Sequence, residues 1–234
     1  MLTLSYSWHH FWYTSKHQHI FPHAMKNIFI HFAIFFISIQ INVFGQNMKT
    51  KDNFNYLVRE ETGDLNADGK TDSVTVYMDT IDKTYPLRLQ IFLSQPNGKM
   101  VLVVSSTQII EPQYPAEKHG KYNGYQIPDF RIENGYLLMW SEIKGGNITY
   151  KFKYQNGNFE LINIDKLTNN ATKGYIDENT LFTETKFDLI TGLRIETDDT
   201  NSDKILQNNT RKKTVLIRPL PKIQDLKFSD KDRY

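Results

Sequence analysis

Three Asn-Gly dipeptides, Asn97-Gly98, Asn134-Gly135 and Asn156-Gly157, each stand between short runs of alternating apolar and polar residues. Asn-Gly readily takes the two positive φ angles of a type I′ turn, whose twist matches that of paired strands, so each dipeptide in this setting predicts a β-hairpin. The hairpins join Leu87 to Leu93 with Met100 to Ser105, Asp129 to Ile132 with Tyr136 to Ile143, and Ile148 to Tyr154 with Phe159 to Ile164. Gly145-Gly146 supplies a further turn between the second and third pairs. Ser73 to Asp79 alternates in the same way, Thr183 to Leu189 and Leu193 to Glu196 flank another turn, and Thr214 to Ile217 reads as a last strand. No stretch of a dozen residues keeps a helical apolar period, so the class is all-β, a mostly antiparallel meander of hairpins forming a β-sandwich or partial propeller-like sheets.

With no Cys in 234 residues, disulfides cannot hold this fold, and the core must do so. Fifteen Phe and 13 Tyr supply large side chains for that interior. The formal charge of +2 comes from Lys16 and Lys26, whose removal leaves 26 basic and 26 acidic residues. A balanced body without a block of Lys or Arg lacks the footprint of phosphate-backbone binding, which argues against a nucleic-acid partner.

The chain divides into three parts. Residues 25–46 have the layout of a signal peptide: Lys26 leads, the apolar run from Ile28 follows, and Gly45 precedes a cleavage point before Gln46. The alternative is a membrane anchor, but His31, Gln40 and Asn42 interrupt the run, so no stable anchor is expected once the signal is removed. A periplasmic or secreted product follows. Residues 1–24 lie upstream of this signal, hold His9, His10, His17, His19 and His23, and are not expected in the mature protein. Residues 47–234 form a single β-rich domain, in which Asp198 to Arg211 is expected to be an exposed loop, Ile223 to Leu226 a helical turn, and Ser229 to Tyr234 a frayed end.

One loop carries metal chemistry. Asp64, Asn66, Asp68 and Asp72 stand at loop positions one, three, five and nine, with Gly69 at six. A hard cation takes several oxygens at short range, and alternate residues of a tightly curled loop can all aim inward. Lys70 offers its backbone carbonyl, with its ammonium expected to point to solvent, and Asp72 ligates directly or through water. The twelfth position is Thr75 in a strand, where a helical calcium hand has a bidentate Glu. The competing reading is an Asx-rich turn without an ion, against which stands the repulsion expected of three close carboxylates.

Gly63 to Asp72, GDLNADGKTD, followed by SVTVYM, resembles the calcium loop of VCBS or FG-GAP-type repeats. The chain is also similar to small exported bacterial proteins with one such loop, in which segments like YKFKYQNGNFELINI at Tyr150 to Ile164 and KFDLITG at Lys186 to Gly192 recur. Over Phe54 to Phe228 the resemblance implies a β fold, export and bound calcium, and it implies no particular activity.

Among other candidates, the loop Gln113 to Tyr125 is dense in aromatic and polar groups, and Tyr114, Tyr122 and Tyr125 beside His119 could present a stacking platform to an envelope glycan or protein. The alternative is that these rings fold back as a lid. His119 is the one His beyond the signal segment, so a His-His zinc pair is excluded for a single mature copy. No G-x-S-x-G elbow or supported carboxylate pair appears, so the leading expectation is a non-enzymatic exported protein with a structural calcium loop. A binding or inhibitor module, and a hydrolase of an envelope polymer, are the alternatives.

Overall fold

The computed structural model describes residues 53–171, 175–200 and 209–233, and residues 52–234 belong to one compact unit. The upstream segment, the expected signal peptide and the His cluster lie outside the described residues. Strands follow in chain order as β1 Phe54–Gly63, β2 Asp72–Asp79, β3 Leu87–Ser94, β4 Met100–Ser106, β5 Asp129–Glu133, β6 Tyr136–Ile143, β7 Gly146–Gln155, β8 Asn158–Asn169, β9 Leu181–Asp188, β10 Leu193–Thr200 and β11 Thr210–Thr214. All pair antiparallel with their chain neighbours, in a four-stranded sheet β1-β2-β3-β4 and a seven-stranded sheet β11-β10-β9-β8-β7-β6-β5. The expected all-β, antiparallel class is what the chain adopts.

The pleat explains the core. In β3, Leu87, Leu89, Ile91 and Leu93 are buried while the residues between them are half-buried. They meet Val74 and Val76 of β2 and, from the other sheet, Ile148, Phe152, Phe159, Leu161 and Phe187 in one hydrophobic cluster. Period-two alternation sends one set of side chains inward from each sheet, and a shared core is the consequence.

Two of the three Asn-Gly turns are type I′: Asn134 and Gly135 have φ of 52° and 76°, and Asn156 and Gly157 have 53° and 72°. At Asn97-Gly98 only Gly98 is positive, at 76°, and the loop instead closes through Gly98 N–H to the Gln95 carbonyl at 2.9 Å and Gln95 N–H to the Lys99 carbonyl at 2.8 Å. Pro96 is the reason. Its fixed φ suits the second position of a type I turn, and Gly98 then takes the left-handed position that returns the chain to the ladder.

Three expectations are corrected. The last strand is Thr210–Thr214, earlier than Thr214 to Ile217, because it pairs with β10 from Leu193↔Thr214 to Thr197↔Thr210. The exposed loop expected from Asp198 does not begin there: β10 continues to Thr200, the Arg211 guanidinium pairs with the Asp198 carboxylate across the ladder, Thr210 and Arg211 belong to β11, and 201–208 lie outside the described residues. The C-terminal end does not fray at Ser229, since Phe228–Asp232 form a 3-10 helix in which the Asp230 carboxylate accepts the Lys227 N–H at 2.9 Å. The helical turn at Ile223–Asp225 is present, with Ile223 and Leu226 buried in the core.

The sheets meet where β1 lies beside β5. Arg59 of β1 and Asp129 of β5 stand 3.8 Å apart, and a methyl group added to Gly63 would come 2.8 Å from Ile132 Cγ2. Gly63 pairs with Asp72, so this junction is also the mouth of the loop from Asp64 to Thr71.

Candidate functional site

The loop is built from the inside out. Leu65, between two oxygen-bearing residues, is fully buried in the core and pins the loop to it. Asp72, first residue of β2, is also fully buried. Its Oδ2 accepts the Leu65 N–H and its Oδ1 accepts the Ser94 N–H, both at 2.8 Å. One carboxylate therefore closes the loop on itself and ties it to the far end of β3.

The remaining oxygens lie on the outer rim. Asp64 accepts the Asp68 N–H at 3.1 Å through Oδ1 and the Gly69 N–H at 2.8 Å through Oδ2. Asn66 Oδ1 accepts the same Asp68 N–H at 3.1 Å, and Asp68 Oδ1 accepts the Lys70 N–H at 2.9 Å. Positive φ at Ala67, 59°, and Gly69, 79°, allows the chain to curl tightly enough for these short-range bonds. The Lys70 N–H holds the Asp68 carboxyl below the ordinary carboxylate range against the opposing effect of desolvation, with lesser help from the Asn66 side chain and the Lys70 ammonium.

Two details differ from expectation. The Lys70 ammonium turns back to within 3.4 Å of Asp68 Oδ2, an exposed ion pair of the kind that adds little to stability. Among the described residues, no group of three or more His, Cys, Asp and Glu side chains is placed to hold a metal ion, where the spacing of Asp64, Asp68 and Asp72 predicted one. Asp72 is drawn inward by two backbone N–H groups, while Asp64 and Asp68 both accept backbone N–H groups of the rim. A cation at the rim would therefore rely on Asp64, Asn66, Asp68 and the Lys70 carbonyl. That set fits a hard cation in kind, since it is all oxygen and each carboxylate oxygen already accepting one hydrogen bond keeps further lone-pair capacity.

The second candidate is the loop from Gln113 to Tyr125. Asn123, buried, is its lock: its Nδ2 donates to the Pro112 carbonyl at 2.9 Å, its Oδ1 accepts the Tyr125 N–H at 2.8 Å, and its own N–H donates to the Gln113 carbonyl at 2.8 Å. Tyr114 and Tyr122 are 36% and 49% exposed and stand 5.9 Å apart between ring centres. Tyr85, not foreseen from the sequence, extends this row at 5.4 Å from Tyr114 and is held with φ of 47°. Tyr125 is half-buried under the Lys118 ammonium, and His119 is exposed at the end of the 3-10 helix Ala116–Lys118. The lid and platform readings thus divide the residues: Tyr125 is half-buried, while Tyr114 and Tyr122 are exposed, with the Tyr122 hydroxyl donating to the Tyr125 carbonyl.

Beneath this loop lies a cleft of about 50 Å³, floored by Met139 and Ile148 and bordered by Tyr125, Ser141 and Glu142. It is room for a few water molecules. Glu142 there already accepts the Gln126 N–H at 2.9 Å, and His119 is not among the lining residues, so Ser141 has no imidazole beside it in the cleft.

No family model, no curated protein and no solved structure matches the chain.

Proposed function

We propose that this protein is an exported β protein, periplasmic or secreted, in which calcium fixes the loop from Asp64 to Asp72 and so the junction of the two sheets. The role of the ion is structural and the protein is non-enzymatic. The observation that supports this reading is the rim arrangement: Asp64, Asn66 and Asp68, at alternate positions, curl around their own backbone N–H groups at 2.8–3.1 Å while Leu65 and Asp72 anchor the loop beneath them. Asp64, Asn66, Asp68 and the Lys70 carbonyl hold the cation, and Asp72 anchors the loop to which they belong. The cation supplies positive charge where two carboxylates otherwise rely on backbone dipoles and one lysine. The resemblance of GDLNADGKTD to VCBS and FG-GAP-type loops supports the same assignment.

A ligand bound only by the folded state stabilises it by mass action, about 2.7 kcal/mol at a hundred times its dissociation constant. For a domain of this size that raises the melting temperature by roughly 5–10 °C. Thermal unfolding in millimolar calcium and in excess chelator should differ by that order, and Asp68→Ala should abolish the difference. Identical melting in both conditions would remove calcium from the account and leave a hydrogen-bonded turn.

A second reading rests on the row Tyr85, Tyr114 and Tyr122, in which the exposed rings of Tyr114 and Tyr122 suit stacking against an envelope glycan or an aromatic-binding protein segment. Retention on purified cell-wall polysaccharide, compared between the parent and a Tyr114→Ala/Tyr122→Ala double variant, tests it. Equal retention of the two would refute it.

A further inference from the structure

Besides the three hairpin dipeptides, a fourth Asn-Gly, Asn123-Gly124, lies in the loop from Gln113 to Tyr125. In each, the Asn side-chain amide stands beside a main-chain nitrogen that no Cβ screens. Attack of that nitrogen on the Asn Cγ closes a five-membered imide. A planar ring needs Cβ and the following nitrogen eclipsed, which for an L residue falls at a ψ of about −120°, the value at the first central position of a type II′ turn. Types I′ and II′ share a positive φ at that position and differ by a flip of the central peptide plane. Asn134 and Asn156, with φ of 52° and 53° in type I′ turns, therefore stand one peptide flip from the ring geometry.

The four sites differ in what restrains them. Asn123 is buried, its Nδ2 donates to the Pro112 carbonyl at 2.9 Å and its Oδ1 accepts the Tyr125 N–H at 2.8 Å, so its amide is held on both sides. At Asn97 the Oδ1 accepts the Lys99 N–H at 3.0 Å, and the Gly98 N–H that would attack is donated to the Gln95 carbonyl at 2.9 Å. Gly135 is half-buried, and a methyl group added to it would come 3.7 Å from the Ala67 side chain, so the Asn134 turn lies against the loop from Asp64. Gly157 is exposed, with nothing within 4 Å of the same added methyl. Among the described residues, neither the Asn156 side-chain amide nor the Gly157 N–H has a hydrogen-bond partner. One bond opposes the flip, from Asn158 Nδ2 to the Asn156 carbonyl at 2.8 Å.

We propose that Asn156 is a self-modification site, at which the chain converts its own asparagine into aspartyl and isoaspartyl residues. The Gly157 nitrogen gives its proton to solvent and bonds to Asn156 Cγ, the Cγ–Nδ2 bond breaks, and the amide leaves as ammonia after taking up a proton. Water then opens the imide. Opening at Cγ leaves an ordinary Asp, and opening at the main-chain carbonyl leaves the chain running through the former side chain. One water is consumed and one ammonia released, with no change of oxidation state. Either product places a negative charge at the tip joining β7 and β8, and the isoaspartyl form adds a methylene to the main chain between the paired Gln155 and Asn158.

The intact protein, held at neutral and at mildly alkaline pH, is sampled over time, and mass spectrometry of its peptides follows the amide-to-acid change at each Asn-Gly. Conversion should begin at Asn156, run several-fold ahead of Asn97 and Asn134, reach Asn123 last, and quicken with pH because the attacking nitrogen must lose its proton. Asn158→Ala, which removes the bond to the Asn156 carbonyl, should speed conversion at Asn156 several-fold and leave the rate at Asn97 unchanged. No conversion at Asn156, another Asn-Gly converting as fast, or an unchanged Asn156 rate in folded Asn158→Ala would each overturn the proposal. Should Asn158→Ala fail to fold, the parent in guanidinium chloride decides. A lead of Asn156 that disappears on unfolding supports control by the turn, and a lead that persists overturns it.

Discussion

Asp72 ties the loop from Asp64 to Thr71 to the far end of β3 through a single side chain. Both of its oxygens accept backbone N–H groups inside the core, from Leu65 and Ser94, and hydrogen bonds to a charged acceptor contribute about 1.5–3 kcal/mol each. Asp72→Ala leaves two buried donors unpaired and should cost about 3 kcal/mol in urea unfolding, whereas Asp68→Ala in the absence of calcium should cost far less. The sequence announced the oxygen spacing of this loop but not that Asp72 accepts the Leu65 and Ser94 N–H groups, because spacing alone does not reveal which backbone donors an oxygen meets. Leu65 was equally hidden, since a single apolar residue between Asp64 and Asn66 forms no periodic pattern. The Asp68 carboxyl is held below the ordinary range, so its contribution is complete above the unfolded-state value and disappears as pH falls through the lower folded one. Any calcium-dependent gain in melting temperature should accordingly persist through mildly acidic pH and vanish only in the acid region where Asp68 protonates. A gain already lost near neutral pH would point to a different group.

At the level of elements, hairpins were legible wherever alternation and Asn-Gly coincided, and obscure where they did not. β1, Phe-Asn-Tyr-Leu-Val-Arg-Glu-Glu-Thr-Gly, is largely exposed and bulged against β2, so it lacks the buried alternation by which strands are recognised. Its pairing is set by β2, across the loop from Asp64 to Thr71, and by close contact with β5, which is remote in sequence. Gly63 marks that contact: Ile132 is stiff and β-branched, and its Cγ2 would lie 2.8 Å from an added methyl. Gly63→Ala should destabilise the fold by about 1–3 kcal/mol, and Ile132→Ala should recover part of the loss, a coupling that a double-mutant cycle of chemical denaturation measures. Additive effects would show that the junction has slack at this point. The Tyr row was only half visible, because Tyr85 joins Tyr114 and Tyr122 from a separate connection between β2 and β3.

For the molecule as a whole, two sheets close on one core, and the loop from Asp64 to Asp72 sits at their junction, touching β2, β3 and, through Gly63, β5. A fold that has no disulfide gains from a reinforced corner of this kind, particularly outside the cell, where calcium is plentiful. The proposed export makes a separate prediction, that N-terminal sequencing of protein recovered outside the cytoplasm begins near Gln46. Calorimetric titration of calcium into chelator-stripped protein reaches the central claim most directly. We expect one binding event per chain in the parent and none in Asp68→Ala. An absence of binding heat in the parent across temperatures, with unchanged amide exchange at Leu65 and Gly69, would contradict it.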